Sequence, residues 1–226
     1  MTLQVNPDDF IITRKRKKYK FAKFANSSIC YELDEWVNKP IDVLEVGAGT
    51  GLFSLELAKS NPDRLYLALD VKADRLQKGA YEAMGEGLGN IYFIRARADQ
   101  VDEICDPESL SEVWVTFPDP FPRKRSAARR LTHPVFLRKY SRILKNDGSL
   151  LLKHDDKDFF MWSLESLVQE GWVIEELSFD LHGSSLKDSY KFTTTYEDRW
   201  LREGLMTNFV KARPPVSART SSLKSL

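Results

Sequence analysis

The sequence predicts an α/β fold, a mostly parallel sheet with helices on both faces, and three features point there. Residues 41–46 (IDVLEV) include four aliphatic side chains, the composition of a strand buried on both sides. Gly47, Gly49 and Gly51 follow at once, and Leu52, Phe53, Leu55, Leu57 and Ala58 then start a helical pattern. Further apolar runs at 65–69, 91–94, 113–117 and 149–153 are separated by helical stretches, as expected of alternating strands and helices.

With 226 residues the chain can bury one sizeable core. A single domain over residues 26–212 is expected, preceded by a basic, mobile arm (1–25) and followed by a disordered tail (213–226). Lys plus Arg number 34 and Asp plus Glu 33, so net charge points to no anionic partner, although the distribution of charge does. Cys30 and Cys105 are too few for a disulfide framework, and three scattered histidines lack metal-ligand spacing, so no metal is expected. A reducing cytoplasm fits. No apolar run nears the ~18 residues of a membrane span, and the polar N-terminus lacks a signal-peptide core.

In chain order, the arm carries Arg14, Lys15, Arg16, Lys17, Lys18, Lys20 and Lys23 interleaved with Tyr19, Phe21 and Phe24. Clustered like charges resist folding alone, so the arm is expected to stay mobile until an anion neutralises it; RNA contact and a solvated tail both fit. Residues 29–37 predict a short helix covering the sheet. The glycines after residue 46 let the backbone reverse and approach a ligand. A dinucleotide fingerprint needs G-x-G-x-x-G, but here the third glycine comes one residue early. Glu45 would also repel a pyrophosphate and suits a cationic ligand better. The arrangement E-x-G-x-G-x-G resembles the first motif of class I methyltransferases, which bind S-adenosylmethionine. A nucleotide-binding loop and a structural turn are the alternatives.

The second strand, 65–69, ends in Asp70, 25 positions after Glu45, near the spacing at which an acid takes ribose hydroxyls. A solvated carboxylate at a strand end is the plainer possibility. Residues 73–84 predict a helix and 91–94 a third strand, leading to Arg97, Ala98 and Asp99. Asp99 there either accepts from an adenine amine or caps the next segment. After the fourth strand comes PDPFPRKRSAARRL, where Pro118, Pro120 and Pro122 stiffen the loop that presents Asp119. Ligands of such sheets bind outside the carboxyl ends of the strands, which puts Asp119 where reacting groups meet. Arg123, Lys124, Arg125, Arg129 and Arg130 form either a phosphate-binding lip or a solvated helix face.

Residues 134–144 predict a helix stopping at Asn146-Asp147-Gly148, and 149–153 a fifth strand delivering His154, Asp155 and Asp156. A helix over 159–169, a strand over 172–179, a mobile polar stretch over 184–190 and a last strand over 205–211 complete the domain.

Together, VLEVGAGTGLF, FPDPFPRKRSAARRLT, LLLKHDD, SFDLH and TTTYEDRW, in this order, resemble the bacterial tRNA (guanine-N7)-methyltransferases over residues 40–212. The resemblance implies a class I methyltransferase, Rossmann-like fold with a seven-stranded sheet. It further implies methyl transfer from S-adenosylmethionine to a guanosine N7 in the tRNA variable loop by a monomer or homodimer. By resemblance, Glu45, Gly47, Gly49, Gly51, Asp70, Arg97, Ala98, Asp99 and Asp119 hold the donor, and Asp119 is also catalytic. Arg123, Asp155, Thr194 and Glu197 touch the guanosine, and Lys124, Arg125, Arg129 and Arg130 the tRNA backbone. The chain departs from the family pattern at Phe121 (usually Trp), at His154 in Lys153-His154-Asp155-Asp156 (usually K-T-D-N) and at Arg97 (usually Asp). A small-molecule methyltransferase and a non-catalytic RNA-binding module are the competing possibilities.

Overall fold

Four consecutive buried residues, Val43–Val46, form the strand at the centre of the molecule. In the computed structural model, which describes residues 5–194, 197 and 201–215, this strand is β2 of an eight-stranded sheet. The strands are β1 (Cys30–Glu32), β2, β3 (Tyr66–Asp70), β4 (Ile91–Arg95), β5 (Leu110–Thr116), β6 (Leu144–His154), β7 (Val173–Ser178) and β8 (Asn208–Arg213). Their spatial order is β1-β4-β3-β2-β5-β6-β8-β7. Pairings from β1 through β6 are parallel, and β8 runs antiparallel between β6 and β7.

Helices that cover the sheet include α1 (Lys15–Ala25), α2 (Leu52–Ser60), α3 (Ala73–Gly85), α4 (Val101–Ile104), α5 (Pro134–Ile143) and α6 (Lys157–Gln169). Because strand side chains alternate in direction, β2 sends Leu44 and Val46 into one core and Val43 into another. The first core holds α5 and α6, the second α2 and α3, as two-sided burial of a parallel sheet requires.

Several expectations are corrected. The sheet has an eighth strand because β1, expected as a helix, pairs in parallel with β4. Its residues alternate, Cys30 packing into one core and Tyr31 against the other, which is the period of a strand. The basic arm is folded in large part as α1: Ala22 and Phe24 are buried and its cations point outward. Burial of that apolar edge supplies what the clustered charges oppose. At Asn146-Asp147-Gly148 the chain is already in β6, which starts at Leu144 and skips register against β5 between Leu110 and Glu112. The polar stretch 184–190 is anchored, with Tyr190 stacked on Phe209 at 4.8 Å and edge-on to Trp114 at 6.0 Å. Residues 216–226 of the expected tail lie outside the described residues.

Candidate active site

Beyond the carboxyl ends of β2, β3, β5 and β6 opens a cavity of about 890 Å³. Its floor is the glycine turn, where Gly47, Gly49 and Gly51 all adopt left-handed backbone angles. Gly51 is excluded from the lining: a Cβ there would meet the Phe93 ring at 2.5 Å, so its bareness serves packing under the turn. The amide of Gly49 donates to Asp70 Oδ2 at 2.9 Å, and Lys72 N donates to the other oxygen at 2.8 Å. Asp70 thus fastens the turn to the end of β3 while lining the cavity.

Glu45 is the innermost charge. It is fully buried, lines the cavity, and accepts from Ser54 Oγ and Thr116 Oγ1, both at 2.6 Å. Burial pushes its pKa from 4.5 up to about 7, against the pull of those hydroxyls. Among the described residues no cation pairs with it. On the neighbouring wall, Arg97 and Asp99 pair through both guanidinium and carboxylate edges. Gln100, not Asp99, caps the next turn by accepting from Arg97 N at 3.1 Å.

The proline loop forms the opposite wall. Phe117 and Phe121 have φ of 46° and 40°, strained for residues with a Cβ. Surrounding contacts hold that conformation. His154 Nε2 bonds Pro118 O at 2.9 Å, and Arg130 donates from Nε to Pro120 O at 3.0 Å and from Nη2 to Phe121 O at 3.2 Å. Asp119, at the apex, is exposed and accepts from Phe121 N at 3.1 Å. Because His154 Nδ1 accepts from Asp156 N at 2.8 Å, the partners fix the ring as the neutral Nε2–H tautomer.

Two expected contacts are placed differently. Arg130, expected on the RNA backbone, turns inward, bracing the loop with its guanidinium 4.3 Å from the Trp162 ring. Glu197, expected on the guanosine, is fully buried and away from the cavity wall. Its carboxylate accepts from Lys153 Nζ (2.7 Å), His182 Nε2 (2.8 Å), Thr207 Oγ1 (3.1 Å) and Thr194 N (3.2 Å). Glu197 N in turn donates to Thr194 Oγ1 at 3.1 Å, so the T-x-x-E motif is a capping box. The Thr-x-x-Glu spacing is a signal for that cap missed in reading the sequence, and nothing local signals the pairing with buried Lys153. Asp155, Thr194 and Arg129 line the cavity, whereas Arg123, Lys124 and Arg125 stand exposed outside it. Among the described residues no cluster suits a metal ion and no helix is long and apolar enough to cross a membrane.

Comparison with known proteins bears on the family and the fold. The profile of a family described as "Putative methyltransferase" matches residues 39–209. The chain is 35% identical over 168 residues to the tRNA (guanine-N(7)-)-methyltransferase of Clostridioides difficile (strain 630), covering 74% of this chain and 77% of that one. It is 35% identical over 179 residues to the protein of the same name from Geobacillus kaustophilus (strain HTA426), covering 79% and 81%. The chain belongs to the tRNA (guanine-N7)-methyltransferase family.

Among solved structures it resembles the 16S rRNA methyltransferase KamB, with a TM-score of 0.55 at 17% identity over 80% of this chain and 90% of that one. A SAM-dependent methyltransferase from Aquifex aeolicus gives 0.53 at 13% identity, covering 77% and 82%. At such identities the likeness concerns the fold, which is that of class I methyltransferases with β1 added at the edge. The residues that depart from the tRNA (guanine-N7)-methyltransferase pattern, Arg97, Phe121, His154 and Asp156, all lie on the cavity wall.

Proposed function

We propose that this enzyme moves the methyl group of S-adenosylmethionine onto N7 of a guanosine in tRNA, in the variable loop. One juxtaposition carries the proposal: a cavity whose innermost charge is a carboxylate without a cationic partner opens beside the exposed cations Arg123, Lys124 and Arg125. A cationic small molecule suits the first feature and a phosphate backbone the second.

The residues fit the donor. Glu45 gains a counter-charge if a sulfonium or ammonium enters, and Asp70, already ordering the turn, has oxygen lone pairs left for ribose hydroxyls. Arg97, Ala98 and Asp99 border the region left for an adenine. When bound, the donor supplies an electrophilic methyl group.

The chain's own work is positioning. Guanine N7 carries a lone pair and no proton, so no general base is required. Asp119 and Asp155 face the cavity and are suited to accept from the N1 and N2 donors of the base, turning N7 toward the glycine turn. The same carboxylates stabilise the positive charge that the methylated purine acquires. Phe117 and Phe121 narrow the space around the reacting atoms and limit water.

The proposal includes a cytoplasmic enzyme acting as a monomer or homodimer. Its test is incubation with labelled donor and unmodified tRNA, followed by mapping of the label through the alkaline lability of the methylated base. Label at a variable-loop guanosine is expected. Label on a small molecule only, or on an exocyclic amine, overturns it. Asp119→Ala should lower turnover while tRNA affinity stays near wild type, and normal turnover would remove Asp119 from the reaction.

A further inference from the structure

Helix α1 holds six Lys or Arg among its eleven residues and no acid. Among the described residues its one ion pair is a long contact, 3.7 Å, between Lys18 and Asp8. Lys15, Arg16, Lys17 and Lys23 are exposed. So dense a row of cations raises the potential along one surface and attracts a polyanion.

Between α1 and α3 lies a second cavity of about 610 Å³, lined in part by Tyr19, Lys23, Gln77, Tyr81 and Met84. Tyr19 and Tyr81 are 52% and 68% exposed and Met84 52%, so their apolar faces lie open to solvent. Lys23 Nζ sits 5.1 Å from the centre of the Tyr81 ring. Aromatic faces beside cations are the combination that unpaired nucleotides use: the rings stack on bases while the cations meet the flanking phosphates. An apolar protein partner would instead have to bury Lys23 without a counter-charge.

Helix α1 runs from the active-site side of the sheet toward the groove. Met84, near the end of α3, contacts Ser27 just after α1, at the amino edge of the sheet. Arg95, the last residue of β4, lies 5.4 Å from the Phe21 ring, at the carboxyl edge. Phe21 therefore lies level with the carboxyl edge and the first turn of α1 extends past it toward the active-site side, whereas the groove, lined from Tyr19 and Gln77 to Ser27 and Met84, opens toward the amino edge.

We propose that the α1–α3 groove is a second RNA-binding surface, in which Tyr19 and Tyr81 take an unpaired base of the same tRNA and the cations of α1 take its neighbouring phosphates. This extends the tRNA proposal above and rests on it.

The test uses full-length protein and unmodified tRNA, with binding followed by fluorescence anisotropy across a salt series. Tyr19→Ala/Tyr81→Ala should raise the Kd for tRNA about tenfold, in line with the loss of base–aromatic stacking. Its thermal midpoint, its affinity for S-adenosylmethionine and its turnover at saturating tRNA should stay at wild-type values. Lys15→Gln/Lys17→Gln should reduce the slope of log K against log salt by roughly 1.5. A fluorescent single-stranded decamer should bind wild type and lose affinity in the tyrosine variant. Unchanged tRNA affinity in the tyrosine variant, an unchanged slope in the lysine variant, or losses that track a lowered thermal midpoint would each overturn the proposal. If wild type binds and methylates tRNA while the variants match it, only the groove is refuted. If wild type neither binds nor methylates tRNA, both proposals fall.

Discussion

His154 donates its Nε2–H to the carbonyl of Pro118 across 2.9 Å, joining the end of β6 to the loop that carries Asp119. The ring is buried and packs against Phe159 at 4.4 Å and Phe117 at 6.1 Å. Its Nδ1 faces the amide of Asp156 and lies 3.3 Å from Asp155 Oδ1, so a second proton would break the amide bond and put a charge in a buried site, eased only in part by that carboxylate.

Burial holds the His154 pKa below its ordinary 6.5, against the weaker opposing pull of Pro118 O, Asp155 and Asp156. Between the lowered value and 6.5 the unfolded chain binds more protons than the folded one. The contribution of His154 is therefore fully present above pH 6.5 and is lost as pH falls through its folded-state value. Thermal midpoint, and turnover at saturating S-adenosylmethionine, should both decline on the acid side. His154→Gln, which keeps a donor and does not titrate, should flatten that limb. A Gln variant with the same acid decline would assign it to another group.

The pKa of Glu45 is shifted the other way, yet its effect on donor binding is also felt on the acid side. Its pKa is raised to about 7, so the ionised form that a cationic donor prefers is only partly populated at neutral pH. Affinity for S-adenosylmethionine should rise with pH up to about 7, level off above it, and be accompanied by proton release below it. Calorimetry in buffers of different ionisation heat measures that proton directly. Glu45→Gln should bind the donor more weakly at pH 8 and lose the pH dependence, and a retained dependence would point elsewhere.

Why some of this was legible in the sequence and some was not follows from the range of each interaction. The β2–turn–α2 unit is local: an apolar run, three glycines and a helical period specify it without help from the rest of the chain. The same holds for Asp70, the last residue of β3, whereas the position of Asp119 depends on His154 and Arg130, which hold its loop from elsewhere in the chain. Arg130 looked like its exposed neighbours because its partners, the carbonyls of Pro120 and Phe121, depend on how a strained loop folds back. Helix α1 looked like a mobile arm because its apolar edge acquires value only against α3 and the sheet edge.

Arg130 and Arg125 should therefore separate in kinetics. Arg130→Lys loses the fork that holds two carbonyls of the loop, so Asp119 is presented less rigidly. A fall in kcat of about tenfold with KM for tRNA little changed is expected. Arg125→Ala, on the exposed side, should raise KM and reduce the salt slope by about one while leaving kcat alone. Steady-state kinetics at two salt concentrations distinguish them, and equal patterns for the two variants would return Arg130 to the RNA surface.

Glu197 and Lys153 are both fully buried and 2.7 Å apart. Glu197→Gln leaves an ammonium in the core without its counter-charge and should cost about 3–5 kcal/mol in a urea titration. Lys153→Met/Glu197→Met removes both charges and should recover part of that loss, the rest remaining because Thr207 Oγ1, Thr194 N and His182 lose their acceptor. A direct contact between Glu197 and the guanosine predicts a different result: the Gln variant would keep a wild-type urea midpoint and lose turnover. The burial of the carboxylate and its four donors argue for loss of the midpoint first, with turnover per folded molecule largely preserved.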